Sequence, residues 1–264
     1  MTTLYRRLDP LMPQDKICCS SCIVSPLCTP CILSDTDILN FRSIPKERTL
    51  FNKDFCLFAA GAFVKKIFVV RRGSFKTELI LSDGRTQVMG FHFPGDILNI
   101  EGLFANSPHL TATSLESGEF CSVSPVDFDS TAGLLNSIFN LSNQILIASI
   151  EQAHNHKMTV GLLSAEEKVS GFLINFISRL SRFSCEDNVY HLPMSQKDIG
   201  SYLGITFETV SRIMTRLSKK GLIILNRHRL QLINAQGLLD VAGDAASLFH
   251  VSHRISDASP FAQN

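Results

Sequence analysis

The sequence predicts an α+β chain in four parts: an N-terminal cysteine-rich segment, a jelly-roll-like β-roll, a long helix and a C-terminal winged helix-turn-helix. Three observations lead there. Five of the eight cysteines lie between Ile17 and Cys31. Gly73, Gly84 and Gly95 recur at intervals of 11, each just past a strand-like run, and short strands at even spacing with glycine turns indicate a sandwich, barrel or jelly roll. Ser164 to Ile233 holds ten Lys/Arg against six Asp/Glu in a chain whose net charge is only +1. Positive charge is thus concentrated toward the C-terminal third, where a polyanion would dock. The expected boundaries are 1–32 for the cysteine segment, 33–129 for the roll, 130–163 for the helix, 164–241 for the winged domain and 242–264 for a flexible tail.

With 264 residues, 45% hydrophobic and 19% charged, the chain has room for two real cores. No apolar run approaches the ~18 residues of a membrane span. Met1 to Lys16 carries Arg6, Arg7, Asp9 and Asp15 and no apolar h-region, so a cytoplasmic protein with reduced thiols is expected. Cys19, Cys22 and Cys28 are spaced C-x2-C-x5-C, and a fourth partner could come from Cys18, Cys31 or the distant Cys121. Thiolates gathered this tightly repel one another unless a soft cation or an iron–sulfur cluster absorbs their charge. Zinc on Cys19, Cys22, Cys28 and Cys31 would leave only five residues between the pairs, against about 15–20 in zinc ribbons. Cluster, zinc and redox or inert thiols all remain open on spacing alone.

Leu33 to Ile44 reads as a short helix that Pro45 ends. Ile67 to Val70, Phe75 to Leu81, Thr86 to Phe93 and Glu119 to Val123 read as strands, with Asp83-Gly84 as a hairpin turn. On burial statistics Cys121 reads as a small core residue, and Cys56 and Cys185 as buried thiols. Leu134 to Leu163 is one long helical stretch with two apolar stripes. One holds Leu134, Ile138, Leu141, Ile145 and Ala148, the other Leu135, Phe139, Leu146, Ile150 and Ala153. One side should rest on the roll and the other meet a second copy of the chain. His154 and His156 interrupt the pattern and, at i, i+2, point to different faces. They read as a solvated patch, not a metal site.

Ser164-Ala165-Glu166-Glu167 is a capping box that starts a new helix. Ser195 to Leu217 reads as a helix-turn-helix. Ser195 caps the first helix, Gly204 makes the turn, Thr206 caps the second, and Val210, Ile213, Met214 and Leu217 face inward. Thr206, Glu208, Thr209, Ser211, Arg212 and Arg216 are then available to DNA. Arginine can hold guanine O6/N7 with two hydrogen bonds, a carboxylate accepts from cytosine N4, and hydroxyls reach bases or phosphates. Leu222 to Ile233 reads as a hairpin with the basic tip Arg227-His228-Arg229, a wing that would touch phosphates.

This order of parts resembles the CRP/FNR superfamily of transcription regulators, and more narrowly its FNR branch, the oxygen-responsive fumarate and nitrate reduction regulators. The match runs from about Cys19 to Val241. Cys19-x2-Cys22-x5-Cys28 with a distant Cys121 is similar to that branch's four cluster ligands. Leu203 to Arg212 is similar to its recognition helix, in which the residues matching Glu208, Ser211 and Arg212 read bases. The resemblance implies a [4Fe–4S] cluster on Cys19, Cys22, Cys28 and Cys121 under anaerobic conditions. It also implies a homodimer on a two-fold symmetric promoter site with TTGAT-like half-sites, RNA polymerase as a further partner, and a dimer that weakens when oxygen attacks the cluster. Two departures stand out. The stretch matching the cyclic-nucleotide phosphate anchor, Asn106 to Thr113, contains no arginine, so cyclic-nucleotide binding is not expected. Ala153 stands where FNR-like proteins can carry an aspartate that opposes pairing, so the dimer should depend less strictly on the cluster. A regulator whose cysteines bind zinc or switch by thiol–disulfide exchange is the competing expectation. Enzymatic activity is not expected: there is no nucleophile–base arrangement, phosphate-cradling glycine loop or catalytic carboxylate pair.

Overall fold

The computed structural model describes residues 14–17, 46–100, 108–124, 153–181 and 188–248, together with 143, 147, 150 and 151. Nine strands form the roll: β1 (Gln14–Ile17), β2 (Lys46–Phe51), β3 (Cys56–Phe58), β4 (Ile67–Arg72), β5 (Phe75–Ile80), β6 (Thr86–His92), β7 (Ile97–Leu98), β8 (Thr111–Ser114) and β9 (Gly118–Val123). They make a five-stranded sheet in the order β1-β2-β9-β4-β7 and a four-stranded sheet in the order β3-β8-β5-β6. Gly73, Gly84 and Gly95 have φ of 80°, 86° and 95°, the left-handed conformation that glycine adopts without a Cβ clash. Their regular recurrence thus marks real chain reversals.

Between the sheets lies an aromatic core of Phe51, Phe58, Phe68, Val70, Phe75, Leu98, Ala112 and Phe120. Phe51 and Phe75 have ring centroids 4.6 Å apart, and Phe68 meets Phe120 edge-on at 5.5 Å, favourable aromatic geometries. Because side chains alternate along a strand, Ile67, Val69, Cys121 and Val123 point to the opposite face of the five-stranded sheet. They are buried there too.

The second half begins with a helix, α1, covering 153–162. It is followed by α2 (Ala165–Leu180), β10 (Val189–His191), α3 (Gln196–Leu203), α4 (Phe207–Lys219), β11 (Ile223–Asn226), β12 (Arg229–Leu232), α5 (Ala235–Ala242) and α6 (Ala245–Leu248). The expected capping box starts α2: Ser164 Oγ accepts from Glu167 N, and the Glu167 carboxylate accepts from Ser164 N. Val169, Phe172, Leu173, Phe176 and Ile177 are all buried on α2. Phe172 and Phe176 reach Phe91 and Phe93 of the roll, with centroids 5.8 and 5.5 Å apart. One apolar core therefore joins β6 to α2, α3 and α4.

Three expectations need correction. The tail does not begin at residue 242: Ala242 and Ala245 are fully buried in that core, and α5 and α6 pack against α2. Small residues there permit close helix contact instead of signalling disorder. His156 is not part of a solvated patch. The helix runs through it unbroken, and its ring lies 4.6 Å from that of Tyr202. Burial holds the His156 pKa below the ordinary histidine value. Cys56, expected to be buried, is half-buried. The expected helix at 33–44 and Cys185 lie outside the described residues.

Candidate functional site

Two constellations hold the residues singled out by sequence, one on the winged domain and one on the roll. On the winged domain each local signal forms as expected. Ser195 Oγ accepts from Asp198 N, and Gly204 has φ 66°. Thr206 Oγ1 accepts from Thr209 N at the start of α4. Val210, Ile213, Met214 and Leu217 are buried. This fixes which side of α4 is left to solvent: Glu208, Arg212, Thr215, Arg216 and Lys219 are exposed, and Thr209 and Ser211 are half-buried. The Arg212 guanidinium donates to Thr209 Oγ1 at 3.2 Å, so the side chain lies back over the first turn of its own helix. Most of its five donors stay available for a guanine edge.

The wing is a three-stranded sheet in the order β10-β12-β11. Asn226 pairs with Arg229 across a two-residue turn, and Arg227 adopts φ 54°. Leu192 N donates to His228 O at 2.7 Å, and His228 Nδ1 lies 2.8 Å from Leu192 O. The tip is thereby anchored while Arg227 and Arg229 remain exposed.

Arg216 is engaged within the chain. Its Nη1 is 3.1 Å from Glu166 Oε2, and Lys220 Nζ is 2.7 Å from Glu166 Oε1. The Lys220 hydrogen bond does most to hold the Glu166 carboxyl below the usual glutamate value; burial opposes it, and the hydrogen bond from Arg216 adds to the lowering. Sequence reading missed Glu166 because 50 residues separate it from Arg216.

The second constellation lies on the outer face of the five-stranded sheet. Cys121 pairs in register with Arg48 on one side and Val69 on the other, and Arg48 in turn pairs with Gln14. Gln14, Arg48, Cys121 and Val69 thus form one row across four strands. Strand β1 ends at Ile17, two residues before Cys19, and Ile17 pairs with Lys46. Two strand spacings of about 4.8 Å set β1 roughly 10 Å from the β9 backbone. Beside Cys121, Glu119 meets Arg48 Nε and Arg71 Nη1, each at 2.5 Å. Cys18, Cys19, Cys22, Cys28 and Cys31 lie outside the described residues, so the chain's fit to a cluster rests here on the soft thiol of Cys121 and the placement of β1. Among the described residues no three metal-ligating side chains converge.

A β-roll packed on a winged helix-turn-helix with a basic outward face defines a DNA-binding transcription regulator, not an enzyme. Comparison with known proteins agrees. Residues 167–241 match the Crp-like helix-turn-helix domain and residues 48–132 the cyclic nucleotide-binding domain. The transcriptional regulatory protein btr of Bordetella pertussis is 31% identical over 90% of this chain and 98% of its own. The transcriptional activator protein FnrA of Stutzerimonas stutzeri is 30% identical over 86% of this chain and 93% of its own. The solved structure of FixK2 from Bradyrhizobium japonicum superposes with a TM-score of 0.66 at 27% identity, covering 74% of this chain and 96% of that one. The chain belongs to the CRP/FNR family of transcription regulators.

Proposed function

We propose that this regulator responds to oxygen through a [4Fe–4S] cluster held by Cys19, Cys22, Cys28 and Cys121, and that as a homodimer it binds palindromic promoter DNA under anaerobic conditions, with RNA polymerase as its partner there. The observation that carries the reading is the row Gln14–Arg48–Cys121–Val69. It sets Cys121 on the same sheet as the strand leading into the cysteine run, and on the face turned away from the roll's own core. Likeness to the transcriptional activator protein FnrA supports action at promoters. A bound cluster supplies a centre that oxygen oxidises. The chain's part is to tie its N-terminal segment to β9 through Cys121, so that loss of the tie changes how the roll supports the long helix. On that helix Ile147, Ile150, Met158 and Leu162 are exposed at spacings of 3, 8 and 4, a single-sided stripe suited to a second copy. Ile150 and Ala153 of the expected second stripe are exposed; the other expected stripe lies outside the described residues. Binding of a cyclic nucleotide is not part of the reading, since 106–113 offers no guanidinium to a phosphate.

Iron, sulfide and visible absorbance of anaerobically prepared wild type and Cys121→Ala test the cluster. Full occupancy is expected in wild type and loss in Cys121→Ala; retention there, with loss in Cys31→Ala, would reassign the fourth ligand. A colourless, zinc-containing wild type would replace the cluster reading altogether. For the DNA face, Arg212→Ala should reduce discrimination between the cognate site and base-substituted sites by ~1–3 kcal/mol. Equal weakening on cognate and random duplexes would show that Arg212 touches only phosphates.

A further inference from the structure

We infer that Glu166 is an intramolecular counter-ion that restrains sequence-independent binding, by occupying two cations of the recognition helix that would otherwise reach phosphates. The inference deepens the DNA-binding reading of α4 and is independent of the cluster. Arg216 sits in the last turn of α4 and Lys220 caps it. Both are exposed, and both meet one carboxylate, at 3.1 and 2.7 Å. Glu166 reaches them from the first turn of α2. It is not the residue that closes the α2 capping box, which is Glu167, so its carboxylate is not needed to start its own helix.

The consequence follows from counter-ion release. Each phosphate neutralised by a protein cation contributes a slope of about −0.9 to log K against log salt. With Glu166 in place the trio carries a net charge of +1; with a neutral side chain it carries +2. A regulator searching a genome faces a vast excess of non-specific sites, so lowering sequence-independent affinity raises the share of molecules on target. A carboxylate in the neighbouring helix does this without removing base-reading groups from the outward face of α4.

The test measures binding of full-length protein to a random-sequence duplex by fluorescence anisotropy across 50–200 mM NaCl, for wild type and Glu166→Gln. The expected result is tighter binding at 50 mM and a slope steeper by about 0.9, rising to about 1.8 if both cations engage phosphates. A slope changed by less than about half a unit, or a shallower one, overturns the inference. Arg216→Gln supplies the control against a purely structural role. In the Glu166→Gln background it should take back about 0.9 of slope, and in the wild-type background much less. An equal decrease in both backgrounds overturns the inference even if Glu166→Gln binds tighter. Failure of both wild type and Glu166→Gln to bind random duplex at 50 mM would overturn the DNA-binding reading of α4 itself, a result distinct from either.

Discussion

The same chemical trio, one glutamate between two cations, occurs in both halves of the molecule with opposite surroundings. On the roll, Glu119 lies between Arg48 and Arg71, its side chain 10% exposed and that of Arg71 13%, with Arg48 at the rim at 36%. On the winged domain, Glu166 lies between Arg216 and Lys220, whose side chains are 59% and 46% exposed. In the first trio Glu119 and Arg71 have little water to fall back on, and only Arg48 reaches solvent. The second can exchange its partners for solvent or phosphate at small cost. Burial, not the identity of the groups, decides whether such a trio holds a fold together or remains available for exchange.

The sharpest way to break that contrast is to remove the carboxylate from the buried trio. Glu119→Gln leaves two guanidiniums crowded together, that of Arg71 largely shielded from water. Deleting one member of a buried ionic cluster costs about 3–5 kcal/mol, so the urea midpoint of the roll should fall steeply. A loss under about 1 kcal/mol would mean that water reaches this face and that the two trios are alike.

Between these extremes stands a third trio of inverted composition. Lys76 Nζ meets Glu78 at 3.0 Å and Asp198 at 2.8 Å, with side chains about one-fifth exposed. Its bond to Asp198 crosses from the roll to α3, alongside Val88 N donating to Ser201 Oγ at 2.9 Å and Arg179 pairing with Asp96. Asp198 also closes the α3 capping box. Asp198→Ala should therefore cost about 1–2 kcal/mol, a capping loss of ~1 plus a half-buried pair. Burial raises the Asp198 pKa, but the hydrogen bonds from Lys76 and Ser195 outweigh it and leave the carboxyl below the usual aspartate value. A depressed folded pKa gives stability that is present above the unfolded value of about 3.9 and lost as pH falls through the folded one. Burial lowers the Lys76 pKa, yet its bonds to Asp198 and Glu78 leave it raised overall, so its contribution persists until pH rises through that value. The melting temperatures of wild type and Asp198→Ala should differ by a constant amount across neutral pH and converge below about pH 4. A gap that persists undiminished at pH 3 would show that Asp198 acts through packing alone.

Sequence made the winged domain readable because its signals are local. Ser195 with Asp198, Gly204, and Thr206 with Thr209 lie within three residues of their partners, and the inward face of α4 repeats at 3.6. The roll was readable for a similar reason, through glycine turns and alternating strands. What stayed hidden is long-range. Arg48 and Glu119 are 71 residues apart, Lys76 and Asp198 122. Nothing in either neighbourhood announces the other. The four residues of β1 are too few to show a period, so only pairing with β2 makes them a strand. For Cys121, local statistics gave a buried residue, and it is buried; that it faces away from the aromatic core follows only from the register of β9 with β2 and β4. His154 and His156 were correctly placed on different faces of their helix. Only the arrival of Tyr202, 46 residues later, distinguishes the packed ring from the solvated one.

The smallest effect on stability separates the two glutamate trios most directly. Glu166→Gln removes the carboxylate from a trio whose cations retain access to water, and exposed pairs of this kind contribute ~0.2–1 kcal/mol, less in salt. Its urea midpoint in 150 mM NaCl should lie within about 0.5 kcal/mol of wild type, an order of magnitude below the change expected for Glu119→Gln, although each substitution deletes one negative charge from between two positive ones. Gln keeps the length and shape of the Glu166 side chain, so little packing is lost. A destabilisation above about 1.5 kcal/mol would mean that Glu166 is needed to hold α2 against α4. In that event any change in DNA binding would have to be read as a displaced helix rather than as released charge.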